Sequence, residues 1–155
     1  MKITIRPLEE KDAYTSWRWR NDPEVFANTV RRYSGPVTLQ NELDWIRTVL
    51  ARPDERRFAI LADGVYIGNV YLTEIKDDEA TIGIFIGDKR YWSKNAGSET
   101  YKQILSYASD ILRLSTIKCL IRIENNASRG LNEKFGFVPT SKDDEFVFYK
   151  KSMKK

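Results

Sequence analysis

Asp88-Lys89-Arg90-Tyr91-Trp92-Ser93-Lys94-Asn95-Ala96-Gly97-Ser98 joins two segments of different periodicity. Before it runs an apolar, strand-like stretch, Ile82-Gly83-Ile84-Phe85-Ile86-Gly87. After it, Tyr101, Ile104, Leu105, Ala108, Ile111 and Leu112 recur at spacings of one face of a helix. The quoted segment is therefore a strand-to-helix turn. Such a turn aims several unpaired backbone N–H groups, and the positive end of the helix dipole, at whatever sits above it. That suits a phosphate or pyrophosphate. Asn95 and Gly97 tolerate the positive φ that a backbone curling around an anion often needs. Arg90 and Lys94 add donors of the right sign. The same letters also describe an ordinary turn that binds nothing, with Trp92 packed over it.

Upstream lies an antiparallel meander. Arg57 to Ala62 meets Val65 to Thr73 across Asp63-Gly64, a hairpin signal, and Lys76-Asp77-Asp78 turns the chain into Glu79 to Ile86. Downstream, Thr116 to Glu124 is another apolar strand. A helix connects it to the strand before, so it should lie parallel to that strand. Asn125 to Phe135 reads as a short helix stopped at Gly136. Phe137-Val138 and Glu145 to Lys150 form a last hairpin. At the start, Ile3 to Arg6 is a short strand and Glu9 to Arg20 a helix ended by Asn21-Asp22-Pro23. On that helix Tyr14 and Trp17 share the core face, which sends Trp19 towards a second helix or a cleft. Residues 26 to 37 have no clean period and read as a mobile loop. Thr38 caps a helix with Leu39, Leu43, Ile46, Val49 and Leu50 on its apolar face.

The composition excludes more than it assigns. The chain has 155 residues, enough for one domain, 1–155, with a real core. It contains no histidine, so Ser-His-Asp and Cys-His machinery and histidine metal ligands are impossible, and no metal is expected. Its one cysteine, Cys119, sits in an apolar run and reads as a packed strand thiol. The net charge of +4 is concentrated in Lys150, Lys151, Lys154 and Lys155, which leaves a neutral body. That argues against nucleic acid as a partner. No apolar run reaches membrane length, and Met1 to Arg6 carries no signal-peptide pattern. No membrane association and a cytoplasmic location are the expectations.

Four segments together resemble the GNAT family of acyl-CoA-dependent N-acyltransferases, and within it the RimJ/RimL-type branch. They are Trp19-Arg20-Asn21-Asp22-Pro23-Glu24-Val25, Ile67-Gly68-Asn69-Val70, the turn from Tyr91 to Gly97, and Asn126-Ala127-Ser128 with Glu133-Lys134-Phe135-Gly136-Phe137. The resemblance implies an α/β fold of the mixed α+β kind. Its central sheet would be mostly antiparallel, with helices on both faces and a splayed parallel strand pair. It implies acetyl-CoA as cosubstrate, with no metal, and a small-molecule or peptide amine as acceptor; dimers are common among relatives, so a homodimer is in view. In the family the turn before the long helix holds the coenzyme pyrophosphate, with the usual pattern Arg/Gln-x-x-Gly-x-Gly/Ala. Here those positions are Trp92, Ser93, Lys94, Asn95, Ala96 and Gly97, followed by Ser98. The last glycine matches, Asn95 replaces the first, and Trp92 replaces the leading Arg/Gln. The pantetheine arm would lie in the splay, paired with main-chain groups of Phe85 and Ile86, with Asn126 and Lys134 completing the coenzyme set.

Chemistry must then run without histidine. Where many relatives carry a tyrosine proposed to protonate the leaving thiolate, this chain has Asn132; Ser128 fits the place of a serine proposed for that role in parts of the branch. A primary amine of pKa about 10.4 is only about 0.1 % neutral at pH 7, so a carboxylate base is expected. Glu74 is the leading candidate, with Glu79, Glu124, Asp143, Asp144 and Glu145 as others near strand ends and the last hairpin. Trp19, Arg20 and Asn21 are the candidate acceptor contacts. Arg18, Arg31 and Arg32 are further donors if the acceptor is a nucleotide-linked amino sugar. A protein N-terminus is another acceptor type the branch implies. A non-catalytic acyl-CoA-binding or interaction module is the alternative, favoured by the altered glycine pattern and the missing tyrosine.

Overall fold

The computed structural model describes residues 1–27, 29 and 35–153. Arg31 and Arg32, and half of the stretch read as a mobile loop, lie outside them. The chain runs β1 (Ile3–Pro7), α1 (Ala13–Arg20), α2 (Pro23–Phe26), α3 (Leu39–Leu50), β2 (Arg56–Ala62), β3 (Val65–Lys76), β4 (Glu79–Ile86), α4 (Ala96–Asp110), β5 (Thr116–Arg122), α5 (Asn126–Lys134), β6 (Val138–Lys142) and β7 (Phe146–Ser152). The described strands form one sheet in the order β1-β2-β3-β4-β5-β7-β6. All neighbours are antiparallel except β4 and β5. This is the mixed sheet expected from the sequence. Among the described residues no helix is long and apolar enough to cross a membrane.

Local turn chemistry explains the meander. Asp63 and Gly64 have φ of 49° and 83°, and Asp77 and Asp78 have 51° and 61°. Two consecutive left-handed residues make the turn whose twist matches a tight hairpin. On one sheet face α4 buries Tyr101, Ile104, Leu105 and Ala108 against Val70, Leu72, Ala80 and Ile82. On the other face α1 and α3 bury Ala13 and Ile46 against Ala59. Thr38 caps α3 in a reciprocal box with Asn41, as its place predicts.

Four boundaries or faces differ from expectation. The first helix does not begin at Glu9: residues Glu10–Asp12 form a 3-10 turn. There Asp12 accepts the Glu9 N–H at 2.8 Å and is gripped by Arg6 at 2.8 and 2.9 Å. On α1 the buried face is Ala13, Ser16, Trp19 and Arg20, whereas Tyr14 is 58 % exposed. Trp19 goes inward because Gly87 leaves room. A Cβ on Gly87 would sit 2.0 Å from the indole. Finally, α4 stops at Asp110, so Ile111 is 66 % exposed rather than on the core face, and β5 stops at Arg122, short of Glu124.

Candidate active site

β4 and β5 pair at only three positions, Glu79–Thr116, Ala80–Ile117 and Thr81–Lys118. Beyond Thr81 the two strands diverge without pairing. The Gly87 N–H turns back to the Ile67 carbonyl on β3 at 2.8 Å. Strand backbone alternates with a period of two. Ile84 and Ile86 therefore present their N–H and C=O groups to the opened side, while Phe85 pairs inward with Asn69. The side chain of Phe85, not its main chain, faces the cleft.

Two cavities meet at this opening. One, of about 370 Å³, is lined by Ile84, Phe85, Ile86, Trp92, Ser93, Asn95, Ala96, Gly97 and Ser98, and by Asn125 and Ser128 across the gap. The other, of about 280 Å³, extends over the α1–α3 face past Arg20, Trp45, Arg57, Tyr71 and Glu74. Ile84, Phe85, Asn125 and Ser128 line both.

The turn that opens the first cavity is built as its letters suggest, with corrections. Ser93 and Asn95 have φ of 60° and 68°. Asn95 thus adopts the left-handed conformation, and α4 begins immediately after it. Gly97 does not use positive φ. It is helical, and its missing Cβ lets Leu131 of α5 approach to 3.1 Å of where that atom would be. Arg90 is spent on Asp88, with bonds of 2.7 and 3.0 Å, and Lys94 is exposed, outside both cavities. Lys134 donates to Ser98 Oγ at 3.0 Å and so braces the start of α4 rather than lining the cavity. Lys89 ties the turn to the start of α2 through Asp22 at 2.9 Å and Glu24 at 3.2 Å. The Trp92 indole donates to the Ile86 carbonyl at 2.8 Å, which occupies one of the two main-chain oxygens facing the opening.

Across the gap, Asn125 caps α5 by accepting the Ser128 N–H at 3.2 Å. Asn126, the sequence candidate, is exposed and lines neither cavity. The motif is displaced by one residue because the cap, not the first helical residue, faces inward. The Ser128 hydroxyl has no hydrogen-bond partner among the described residues. Asn132 is the opposite case. Its carbonyl accepts from Tyr101 Oη at 2.8 Å and from Cys119 Sγ at 3.4 Å, and its amide donates to the Ser128 carbonyl at 2.8 Å. Asn132 is thus a buried brace for α5, not a group free to react. Burial pushes the Cys119 thiol up to about 12 and the Tyr101 phenol well above its usual range. Both stay neutral donors to Asn132.

Of the three acceptor candidates, Arg20 alone lines either of these two cavities. Trp19 packs on Tyr66 and Phe85 at ring separations of 4.8 and 6.1 Å. Asn21 exchanges hydrogen bonds of 2.7 Å with the Val37 backbone and fastens α1 to the approach of α3. Arg20 is buried against Glu42, which also accepts from Ser16 at 2.6 Å. Glu42 escaped the sequence reading, although its place one turn before Ile46 put it on the buried face. Glu74 is exposed on the 280 Å³ cavity, at an irregularity of β3 where its φ is 51°. Glu79 is committed to Lys118 at 3.2 Å. The Asp143 carboxylate closes the last hairpin by accepting the Glu145 and Phe146 N–H groups.

Residues 2–138 match the family described as Acetyltransferase (GNAT) domain. The chain belongs to the GNAT acetyltransferase family. That family transfers acetyl groups from acetyl-CoA to amines. Among curated proteins, the chain is 25 % identical over 160 residues to an uncharacterized protein of Methanocaldococcus jannaschii, covering 95 % of this chain and 31 % of that protein. It is 21 % identical over 142 residues to the acetyltransferase PseH of Campylobacter jejuni, covering 91 % and 86 %. Its fold is shared with the spermidine N-acetyltransferase of Vibrio cholerae solved with CoA and spermine, at a TM-score of 0.86, 21 % identity, and coverage of 97 % and 95 %. A domain from M. jannaschii superposes with a TM-score of 0.83 at 22 % identity, covering 98 % and 99 %.

Proposed function

We propose that this GNAT chain is an acetyl-CoA-dependent N-acetyltransferase that acts on the primary amine of a small molecule by direct attack. The observation that carries this reading is the meeting of the two cavities at Ile84, Phe85, Asn125 and Ser128. A donor entering from the turn and an acceptor entering over Tyr71 reach the same point. We place the chain in the RimJ/RimL-type branch and in the cytoplasm, with a nucleotide-linked amino sugar as the favoured acceptor over a protein N-terminus.

The residues fit the coenzyme. The left-handed turn at Asn95 and the first N–H groups of α4 suit a pyrophosphate. The open-edge groups of Ile84 and Ile86 suit an amide-bearing arm. When bound, acetyl-CoA supplies the acetyl group as a thioester. An N–H on the open edge of β4 polarises the acyl carbonyl. The uncommitted Ser128 hydroxyl donates to the departing sulfur; a thiolate of pKa about 8.5 needs no stronger acid. Glu74, at the acceptor end, takes the amine proton directly or through water.

Calorimetric titration with acetyl-CoA, with Gly97→Trp as a blocked form, tests the reading, followed by thiol release over a panel of amines. Micromolar binding that Gly97→Trp abolishes, with release on at least one amine, is expected. No binding at millimolar acetyl-CoA overturns it. The second reading, a coenzyme-binding module without turnover, is favoured by Asn132, whose side chain is fully committed and supplies no acid for the leaving thiolate. It predicts binding with no thiol release.

A further inference from the structure

Arg57, Tyr71 and Gly83 stand in one row across β2, β3 and β4. Gly83 has no side chain, and the Tyr71 ring lies over it; a Cβ there would be 2.2 Å from Tyr71 Cε2. The guanidinium of Arg57 is held between two rings, 4.7 Å from the centre of Tyr71 and 4.9 Å from that of Trp45. Its Nε donates to Glu55 at 2.9 Å. The two terminal nitrogens have no hydrogen bond to any described residue, and the side chain lines the acceptor-side cavity. Glu55 serves Arg52 as well, at 3.1 Å, and Arg52 lines the same cavity. One carboxylate therefore answers two guanidiniums there. A stacked guanidinium fixed through Nε offers its remaining fork in the geometry that binds an oxyanion with two parallel bonds.

We propose that Arg57 is the anion receptor of the acceptor-side cavity, and that the amine acceptor carries a phosphate group. This rests on the transferase reading above and assigns the residue that would select its favoured acceptor. Arg57 lines the same cavity as Ile84 and Ser128, where the two cavities meet, so one acceptor can place a phosphate on Arg57 and its amine at that point. An amino sugar joined to a diphosphate carries both groups.

The same walls disfavour a polyamine. Glu74 is the one carboxylate lining this cavity among the described residues. The aromatic faces that attract ammonium groups are already held by the chain's own cations. Arg20 lies 4.5 Å from Trp45, 5.0 Å from Phe26 and 5.1 Å from Phe85, and Arg57 covers Tyr71.

The test uses protein saturated with CoA, so that the turn before α4 is closed to other anions. UDP and spermidine are titrated separately by calorimetry into wild type, Arg57→Gln and Arg57→Lys, with CoA affinity and melting temperature measured on each. UDP should bind the wild type. Arg57→Gln should weaken it at least ten-fold and Arg57→Lys by less, with CoA affinity unchanged, and spermidine should not compete with UDP. CoA binding without UDP binding, UDP binding equally well to Arg57→Gln, or spermidine displacing UDP overturns the assignment and leaves the transferase reading standing. A wild type that binds no CoA overturns both.

Discussion

The indole N–H of Trp92 is bonded to the carbonyl of Ile86 at 2.8 Å, six residues back along the chain. It thus takes up a group on the very edge where a coenzyme arm would pair. The bond also holds a large, 37 % exposed side chain against the mouth of the cavity. Replacing Trp92 with Phe keeps the bulk and frees the carbonyl. A single hydrogen bond contributes about 0.5–1.5 kcal/mol. Trp92→Phe should accordingly tighten acetyl-CoA binding by roughly two- to ten-fold. Calorimetry reads this directly, and weaker binding would mean that the indole helps the coenzyme rather than competing with it.

Ser128 gives a cleaner separation of chemistry from folding. Its backbone is used by Asn125 and Asn132, but its hydroxyl touches no described partner. Ser128→Ala should leave the melting temperature and the KM for acetyl-CoA unchanged. It should lower kcat roughly 10- to 100-fold, the loss of an interaction that matters as the thiolate departs. An unchanged rate of thiol release would remove Ser128 from the mechanism.

Glu42 should be among the most sensitive positions for stability. It is 2 % exposed and is the carboxylate partner of buried Arg20. Glu42→Ala leaves a charge in the core beneath the acceptor-side cavity, and breaking such a pair costs about 3–5 kcal/mol. Urea unfolding should show the loss as a lower midpoint at constant slope.

The link from Lys89 to Asp22 should show in the pH dependence of stability. Lys89, followed by the Glu24 N–H, holds the Asp22 carboxyl below its ordinary 3.8. Asp22, followed by Glu24, holds the Lys89 ammonium above 10.5. A depressed acid stabilises the fold above its unfolded value and loses that contribution as pH falls through the folded one; a raised base loses its share as pH rises. Asp22→Asn keeps the cap on α2 but removes the ion pair. Wild type should therefore melt above Asp22→Asn between about pH 4 and pH 10, with the two curves converging at both ends. A constant offset at all pH values would assign the effect to the cap.

The parts of this molecule that follow local rules could be read from its letters. Asp63-Gly64 and Asp77-Asp78 announce their turns through backbone conformation alone, and Asn95 before a helical period does the same. The acceptor side could not be read that way. Arg57 gains its meaning from Trp45 on α3 and Tyr71 on β3, which share no local pattern with it. Trp17 and Trp19 alternate with arginines on a short helix, so periodicity does not reveal which one goes inward; the bare backbone of Gly87, just past the end of β4, does. Glu42 was hidden because periodicity counts apolar residues, and its burial depends on Arg20 and Ser16 arriving from α1. Asn125 and Asn126 differ only in helix register, which the cap geometry decides.

Three residue pairs hold β4 to β5, so the protein has a seam through the centre of its sheet rather than only free edges at its rims. A ligand that lies along Ile84 and Ile86 behaves as an added strand, closing the gap between the β1–β4 half and the β5–β7 half. The proposed site of transfer and the mechanical weak point then coincide. Saturating coenzyme at 100 times its dissociation constant would strengthen the whole molecule by about 2.7 kcal/mol. The protection against hydrogen exchange should be greatest along that seam. On the proposed reading the coenzyme is in this sense the last piece of the architecture, and the fold is completed each time it binds.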